Sequence, residues 1–398
     1  MPEINIPEYA KTVFRRLTDG GYEAFVVGGC VRDSVMGREP NDWDFCTSAL
    51  PEETKACFAG FHVIETGIRH GTVSVVIGRN VAEITTYRID GEYSDDRHPD
   101  SVEFSRDLTK DLARRDFTIN ALAYNPETGI VDRFGGLEDL RDGRIRCVGD
   151  PETRFSEDAL RIMRAFRFAA VLGFEIEKET ENAAVRLAGS VRNVSAERIQ
   201  AELKKLVLGR RAGDILTKYR AALSEAAGVA LAPAETLRIV DFAPAELPAR
   251  LALIFDGDVG PALKRLRFDN QTIARAAAIA ELAAGPVPAD DTALRILMRE
   301  YGDEAVLGSL ELRAAVERSA GGAEGGAEEL ITICRRIIRS DECRSLKQLD
   351  LSGKDLLDAG FAQGREIGRI LNDLLDRVIR GELPNRKEIL LQKVTDLR

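Results

Sequence analysis

The strongest constraint on the fold is that β-strand patterns occur only in the first third of the chain. Up to about residue 147, short runs rich in Val, Ile and Thr, such as HGTVSVVIG and VAEITTYRI, alternate with helical patterns. Beyond this point the sequence is Ala-rich and helical, with breaks near 230–248, at 285–290 and from Gly321. The sequence therefore predicts an α+β fold, with a small mixed sheet and helices followed by an all-α remainder.

Local patterns predict where individual elements begin and end. Residues 8–19 are expected to form an amphipathic helix that ends at Gly20, and the polar stretch 90–101 is expected to form a loop. Farther on, SEDALRIMRAFRFAAVLGF predicts one helix capped by Ser156, and SAERIQAELKKLVLGR predicts a second helix capped by Ser195.

Bulk composition limits the class of protein. A chain of 398 residues predicts two or three domains, and a net charge of −10 argues against a surface built for indiscriminate nucleic-acid binding, while permitting a local basic groove. Six cysteines without a CxxC pair and three histidines disfavour a zinc site. With no secretory signal and no apolar run long enough to span a bilayer, we expect a cytoplasmic protein with reduced cysteines and no membrane partner.

A Gly-Gly pair follows the first buried strand pattern. Gly28 and Gly29 lie between FVV and a short helical pattern that carries Arg32. Glycines at such a turn let backbone N–H groups approach a phosphate, and an arginine beside them adds a charge-assisted hydrogen bond. The motif is neither a Walker loop nor GxGxxG, so by itself it indicates only a phosphate site.

Three carboxylates follow on strand patterns. Asp42 and Asp44 stand two residues apart in DWDFCT, and residues at this spacing share one face of a strand. Glu83 lies in the middle of VAEITTY. Like charges this close repel unless a cation relieves them, and hard oxygen ligands suit Mg²⁺. The alternative interpretation is that both aspartates are solvated turn residues.

Three blocks together resemble a known family. GGCVRDSVMGREPNDWDF, RRDFTINALAY and EDALRIMRAFRFAAVLGF occur in order between about residues 22 and 210. They resemble the class II tRNA nucleotidyltransferases, which are the CCA-adding enzymes and their poly(A) polymerase relatives, in their bacterial form. The resemblance implies a five-stranded polymerase β-like nucleotidyltransferase head (1–147), a helical neck (148–211), and a helical body and tail (212–398).

The resemblance also implies roles for residues of the head. Asp42 and Asp44 would hold the metal ions, and Glu83 would act as a third carboxylate. The nucleotide contacts that it implies are those of Gly29, Arg32 and Arg115, with Asp116 as a ribose contact and Asn120 as its support.

Four charged residues of the third block stand three positions apart. Asp158, Arg161, Arg164 and Arg167 would share one broad stripe of a helix, and such a stripe is often only a solvated face. An Asp–Arg pair can, however, imitate a Watson–Crick partner. A carboxylate accepts from the amino group of C or A while a guanidinium donates to the ring nitrogen, and U and G would mismatch both contacts. The resemblance implies this role for Asp158 and Arg161, and nucleotide contacts, partly to the triphosphate, for Arg164 and Arg167.

A local basic strip on the acidic chain is a candidate RNA track. Phosphate contacts from such a strip position an RNA without specifying its sequence. The strip comprises Arg192, Arg198, Lys204, Lys205, Arg210 and Arg211. The C-terminal stretch from Asp350 resembles the end of bacterial CCA-adding enzymes, which implies contact with the tRNA elbow.

The resemblance implies template-independent addition of CCA to the 3′ end of tRNA from CTP and ATP, with Mg²⁺ and release of pyrophosphate. Poly(A) synthesis, and partial addition of CC or A alone, are alternatives within the class. A non-catalytic RNA-binding protein is the alternative from another class, although both metal-binding aspartates are present.

Overall fold

The computed structural model describes residues 4–90, 102–322, 326–340 and 342–396. Nearly all of the predicted 90–101 loop lies outside the described residues. The chain divides into two compact units, residues 1–229 and 230–398. The finer division at residues 147 and 211 stays a prediction.

The first unit is built on a mixed β-sheet. In the described part of the chain this sheet has seven strands, in the order β3-β4-β5-β2-β1-β8-β9. Two small two-stranded pairs, β6–β7 and β10–β11, accompany it. The strands are β1 Ala24–Val27, β2 Asp44–Thr47, β3 His62–Ile64, β4 Thr72–Ile77, β5 Asn80–Thr86, β6 Arg88–Asp90, β7 Val102–Phe104, β8 Leu122–Asn125, β9 Gly129–Asp132, β10 Arg144–Ile145 and β11 Glu175–Ile176.

Helices cover this sheet and continue the first unit. They are α1 Glu8–Asp19, α2 Gly29–Val35, α3 Pro51–Cys57, α4 Leu108–Ala113, α5 Gly136–Asp142, α6 Pro151–Glu157, α7 Leu160–Leu172, α8 Lys178–Arg186, α9 Ala196–Val207, α10 Ala212–Lys218 and α11 Arg220–Ala227. The predicted bounds of α1 are confirmed, because its apolar stripe is buried and Gly20 caps its C-terminus. Ser195 is the N-cap residue of α9, as predicted.

Three sequence-based expectations about the first unit were wrong in detail. The sheet has seven strands and not five. Strand β2 begins at Asp44, so Asp42 precedes the strand instead of lying within it. The single helix expected from Ser156 is two helices, because Asp150 caps α6 with Pro151 at its first position, and the chain is extended at Asp158 before α7 begins.

The second unit is helical, as predicted. Its helices are α12 Ala234–Arg238, α13 Leu247–Ile254, α14 Val259–Arg265, α15 Asn270–Ala284, α16 Asp291–Tyr301, α17 Asp303–Ser319, α18 Gly326–Arg339, α19 Gly353–Asp358, α20 Arg365–Ile379 and α21 Lys387–Thr395. One apolar cluster joins α16, α17 and α18, and another joins α19, α20 and α21. The buried Arg344 pairs with Asp303 at 2.6 Å and fastens the segment between these clusters.

Two expectations from composition agree with the structure. All six cysteines lie in described residues, and all are free thiols. Among the described residues, no helix combines the length and the apolar character required for a membrane span.

Candidate active site

Two of the three predicted carboxylates meet on adjacent strands. Strand β2 pairs with β5 in parallel, and the register places Asp44 opposite Glu83. Asp42 lies two residues before Asp44, just outside the strand. The side chains of all three are solvent-exposed. The sheet therefore presents a carboxylate edge, which we define as Asp42, Asp44 and Glu83.

The charge state of Asp44 reflects this crowding. Although its side chain is exposed, the surrounding protein displaces enough water to raise its pKa, and the nearby Glu83 and Asp42 raise the pKa further. The guanidinium of Arg115 opposes the rise. Among described residues, no cation lies within ion-pair distance of this edge. A bound cation would therefore add to the stabilisation that Arg115 gives the ionised form of Asp44.

The carboxylate edge fits a metal ion only as part of a larger ligand set. No group of three or more acidic, histidine or cysteine side chains in the described ranges is arranged to hold a metal ion by itself. Divalent-metal dependence is general for nucleotidyltransferases. Hard cations such as Mg²⁺ retain waters and accept substrate phosphate oxygens beside one or two carboxylates. Asp42 and Asp44 match such a partial site, in which the nucleotide and water supply the remaining oxygens.

The Gly-Gly turn lies against Arg115. Gly28 has φ +81° and ψ −127°, which is a conformation open to glycine and strained for other residues. A Cβ at this position would also stand 3.0 Å from Nη1 of Arg115. Gly29 then begins α2. Gly28 itself is buried and its N–H donates to the Leu122 backbone oxygen at 3.0 Å, so the partly exposed backbone of this turn is that of Gly29.

Arg115 is fixed from the opposite direction by a buried carboxylate. Asp111 is fully buried and accepts hydrogen bonds from Arg115 at 3.3 Å and from Arg114 at 3.0 Å. Burial alone would raise the pKa of Asp111, but the two arginines lower it below the usual value. Asp111 was not predicted as a site residue. Its position three and four residues before the two arginines on α4 could have indicated the pairing.

A chain of hydrogen bonds joins Arg32 to Asp116. Arg32 donates from Nε and Nη2 to the two carboxylate oxygens of Asp33, each at 2.9 Å, and from Nη1 to Oδ1 of Asn120 at 2.7 Å. Nδ2 of Asn120 donates to Oδ1 of Asp116 at 3.0 Å. Arg32 and Asn120 are 88 residues apart in sequence, so this series of hydrogen bonds forms only in the folded unit.

Asp116 extends this series of hydrogen bonds to α7. Its Oδ2 accepts from Nε of Arg164 at 2.7 Å, and its Oδ1 accepts from the Phe117 amide at 2.8 Å. Burial would raise the pKa of Asp116, but Arg164, Asn120 and this amide lower it to about 2. Asp116 is therefore ionised at neutral pH, and with Asn120 it holds Arg164 in one place.

Arg167 lies one helical turn beyond Arg164 and has its own carboxylate. Its Nε is 2.6 Å from Oε2 of Glu202 on α9, and Glu202 is buried. Glu202 also lies 3.9 Å from Arg164. Sequence reasoning missed Glu202 because it considered only the basic residues of that segment.

The proposed base-reading pair is present but makes other contacts. Asp158 accepts from the Leu160 amide at 3.1 Å and pairs with Arg198 at 3.0 Å. The buried Arg161 donates to Glu157 at 2.6 Å and to the backbone oxygens of Arg154 and Arg114. The two residues flank the start of α7, so the expectation that both stand on one helical stripe was wrong. Their role in base selection stays a prediction.

Members of the predicted basic strip make contacts within the chain. Arg192 donates to the Glu225 oxygen at 3.0 Å, and Arg211 pairs with Glu175 at 2.8 Å. Arg210 donates to the Leu172 oxygen, and Arg198 pairs with Asp158. These pairings keep the cations at fixed positions on the surface of the first unit, and their use for RNA stays a prediction.

Family models match three parts of the chain. A model described as the Poly A polymerase head domain matches residues 24–146. A model of a probable RNA and SrmB-binding site of polymerase A matches 173–221, and one of tRNA nucleotidyltransferase domain 2 matches 249–394.

Curated relatives and solved structures match over nearly the full length. The CCA-adding enzyme of Levilactobacillus brevis is 36% identical over 98% of each chain. That of Lactococcus lactis subsp. lactis is 38% identical over 97% of this chain and 96% of its own. The crystal structure of the Bacillus stearothermophilus CCA-adding enzyme in complex with CTP is 33% identical, with a TM-score of 0.81 over 98% of this chain and 96% of that one.

Proposed function

This chain belongs to the CCA-adding enzyme family, and on that premise we propose that it adds C, C and A to the 3′ end of tRNA from CTP and ATP without a nucleic-acid template. The observation that carries the proposal is the position of Arg115. It lies beside the glycine turn at Gly28 and close enough to the carboxylate edge to lower the pKa of Asp44. The elements that we propose for binding phosphate and metal therefore adjoin one another.

The proposed reaction is a nucleotidyl transfer. The 3′-hydroxyl of tRNA loses its proton to solvent and its oxygen forms a bond to the α-phosphorus. The bond from that phosphorus to the oxygen bridging to the β-phosphate breaks, and pyrophosphate leaves. Asp42 and Asp44 would hold Mg²⁺, with Glu83 as the third carboxylate. When bound, the ion stabilises negative charge on the reacting phosphate oxygens. Catalysis by the chain's own residues is then mainly positioning and electrostatic.

The arginines and the glycine turn would hold the nucleotide. The partly exposed backbone at Gly29 can approach the phosphates beside the turn at Gly28, and four guanidinium groups can bind them by charge-assisted hydrogen bonds. These groups are those of Arg32, Arg115, Arg164 and Arg167. Asp116 and Asn120 would contact the ribose, and their mutual hydrogen bond fixes both side chains in advance.

Asp158 and Arg161 would select the base. The carboxylate can accept from the amino group of C or A, and the guanidinium can donate to the adjacent ring nitrogen. U and G present a carbonyl and an N–H at these positions, and buried polar groups without partners reject such analogues strongly. Asp158 would exchange its Arg198 contact for the base in this step.

The tRNA would lie along the basic surface of the first unit, and the C-terminal helices would contact its elbow. Because phosphate contacts position an RNA without reading its sequence, this arrangement suits an enzyme that accepts every tRNA. We place the enzyme in the cytoplasm, where its substrates are found.

A direct assay tests the proposal. Purified protein is incubated with Mg²⁺, a tRNA that lacks its terminal CCA, and each labelled nucleoside triphosphate in turn. Addition limited to two C and one A is expected. A long A tail would establish poly(A) synthesis instead, CC or A alone would establish a partial enzyme, and RNA binding without addition would establish a non-catalytic protein.

A second experiment tests base selection. Asp158→Ala and Arg161→Ala are expected to relax the preference for CTP and ATP over UTP and GTP by about tenfold or more. Arg186→Ala is the matched control, because Arg186 is an exposed arginine that pairs with Glu152 on the same unit. Unchanged selectivity in both test variants would refute the assigned role.

A further inference from the structure

Three arginines surround one buried aromatic ring. The guanidinium carbons of Arg32, Arg164 and Arg167 lie 5.1, 5.5 and 3.6 Å from the ring centroid of Phe168. Phe168 is only 3% exposed. Arg32 belongs to α2 and the other two arginines to α7. One ring thus contacts nucleotide-site arginines from two separate elements.

Such a group of cations needs an explanation, because like charges repel. Each arginine has a carboxylate partner of its own, namely Asp33, Asp116 and Glu202 respectively. The repulsion is nevertheless felt, since burial lowers the pKa of Arg167 and the neighbouring Arg164 and Arg32 lower it further. An aromatic face is the apolar surface that attracts cations. An aliphatic side chain would fill the same space without that attraction.

A second ring holds Phe168 in place. Phe117 directly follows Asp116, and its ring meets Phe168 edge to face, with 5.8 Å between centroids and an interplanar angle of 81°. Edge-to-face pairs are a favoured aromatic geometry. The orientation of the Phe168 ring is therefore tied to the segment that carries Asp116.

We propose that Phe168 is a positioning residue that holds Arg32, Arg164 and Arg167 in the arrangement required by the triphosphate of the incoming nucleotide. It acts through the arginines and does not itself contact the substrate. The inference rests on the proposed nucleotide-binding role of these arginines. It predicts that an aromatic ring, and not merely apolar bulk, is needed at this position.

The same helix offers a matched control. Phe166 is fully buried, and its ring packs against Tyr219 at 4.7 Å, away from the three arginines. Phe166→Leu and Phe168→Leu make the same chemical change in the same helix. Phe168→Tyr retains the ring and serves as the conservative variant.

The first measurement is nucleotide binding without tRNA. With Mg²⁺ present, Phe168→Leu is expected to raise the Kd for ATP and CTP about tenfold, in keeping with the strength of a desolvated cation–π contact. Binding of AMP, which lacks the β- and γ-phosphates, should change less than threefold. Phe166→Leu should change neither, and Phe168→Tyr should restore ATP binding to within about threefold of the unmodified protein.

The second measurement is steady-state addition to tRNA by variants shown to be folded by circular dichroism. Phe168→Leu should raise KM for both nucleotides more than it lowers kcat. Equal losses of binding in Phe166→Leu and Phe168→Leu, or equal losses for ATP and AMP, would overturn the inference, because a general packing defect explains them. If the unmodified protein binds ATP but adds no CCA, the proposed function fails while the binding comparison still decides the role of Phe168.

Discussion

Asp44 and Asp116 lie in the same unit and show two opposite ways of placing a carboxylate in a site. Asp44 is exposed, and the surrounding protein together with Glu83 and Asp42 raises its pKa. Asp116 is 8% exposed, yet Arg164, Asn120 and a backbone amide lower its pKa to about 2. Exposure alone would have suggested the reverse. Displaced water is the main cause of the raised pKa of Asp44, whereas hydrogen bonds and Arg164 outweigh burial at Asp116.

The difference between Asp44 and Asp116 shows which carboxylate already has its partners within the protein. The Asp116 side already has its cation and its hydrogen bonds, so it can hold arginines in place before any substrate binds. At the carboxylate edge, Arg115 opposes the rise in the pKa of Asp44, yet that pKa stays above its ordinary value, so an added cation would further stabilise the ionised carboxylate. The proposed nucleotidyl transfer would use the preformed hydrogen bonds on one side for positioning and the carboxylates on the other for binding a metal ion.

The largest expected effect falls on the carboxylate edge. Asp44→Asn should lower kcat for nucleotide addition about a thousandfold or more, equivalent to about 4 kcal/mol, because metal-ion catalysis supplies several kcal/mol. Its stability should stay equal or rise, since the folded state disfavours the charge on Asp44. Activity assays with Mg²⁺ and denaturant unfolding measure both quantities. Asp19→Asn is the exposed control, and near-normal activity in Asp44→Asn would contradict the metal-binding role.

The second prediction is that removing the charge of Asp116 lowers the stability of the protein, in contrast to Asp44→Asn. Asp116→Asn removes the charge that pairs with Arg164, and breaking such a buried pair should lower the free energy of unfolding by about 2–3 kcal/mol. Urea unfolding measures the loss. If Asp116→Asn and Asp44→Asn had equal effects on stability, the contrast between the two carboxylates would be wrong.

The third effect concerns the glycine turn. Gly28→Ala should cost about 1–2 kcal/mol of unfolding free energy, because the positive φ of Gly28 disfavours a Cβ, which would also crowd Arg115. Gly29→Ala is the control, because Gly29 lies in α2 and its Cβ would meet Arg32 at an ordinary 3.7 Å. Equal stability of the two variants, measured by thermal unfolding, would show that the turn is not strained for alanine.

The smallest expected effect is the pH dependence of the contribution that Asp116 makes to the free energy of unfolding. Because the pKa of Asp116 is lower in the folded state than in the unfolded state, its stabilisation is full above about pH 4 and is lost as the pH falls toward 2. The stability difference between the unmodified protein and Asp116→Asn should thus narrow by about 1 kcal/mol from pH 6 to pH 3. A constant difference over this range, measured by urea unfolding, would show that the two states share one pKa.

Sequence periodicity predicted those structural features that depend only on residues close together in the sequence. The bounds of α1, the strands β4 and β5, and the glycine turn all follow from local patterns, because burial periodicity and glycine conformation are local properties. Asp150 and Pro151 also formed a local helix-start pattern, and overlooking it led to the wrong start at Ser156.

Pairing between distant segments could not be predicted from local patterns. That Glu83 lies opposite Asp44 depends on the parallel register of β2 and β5, which the alternating pattern of each strand leaves open. Glu202 and Phe168 looked like ordinary helix residues, because their partners come from other elements. The family resemblance predicted most residues of the candidate site, and the structure showed which residues contact them.

The order of strands in the sheet has a consequence for how the protein folds. Val26 of β1 pairs with Tyr124 of β8, so the sheet closes only after about a hundred intervening residues have been arranged. Contacts at such separation slow folding, whereas the helical second unit relies on closer neighbours. We therefore expect the second unit to refold faster than the first. The catalytic residues would then come together late, so nucleotide binding could report the end of the folding reaction.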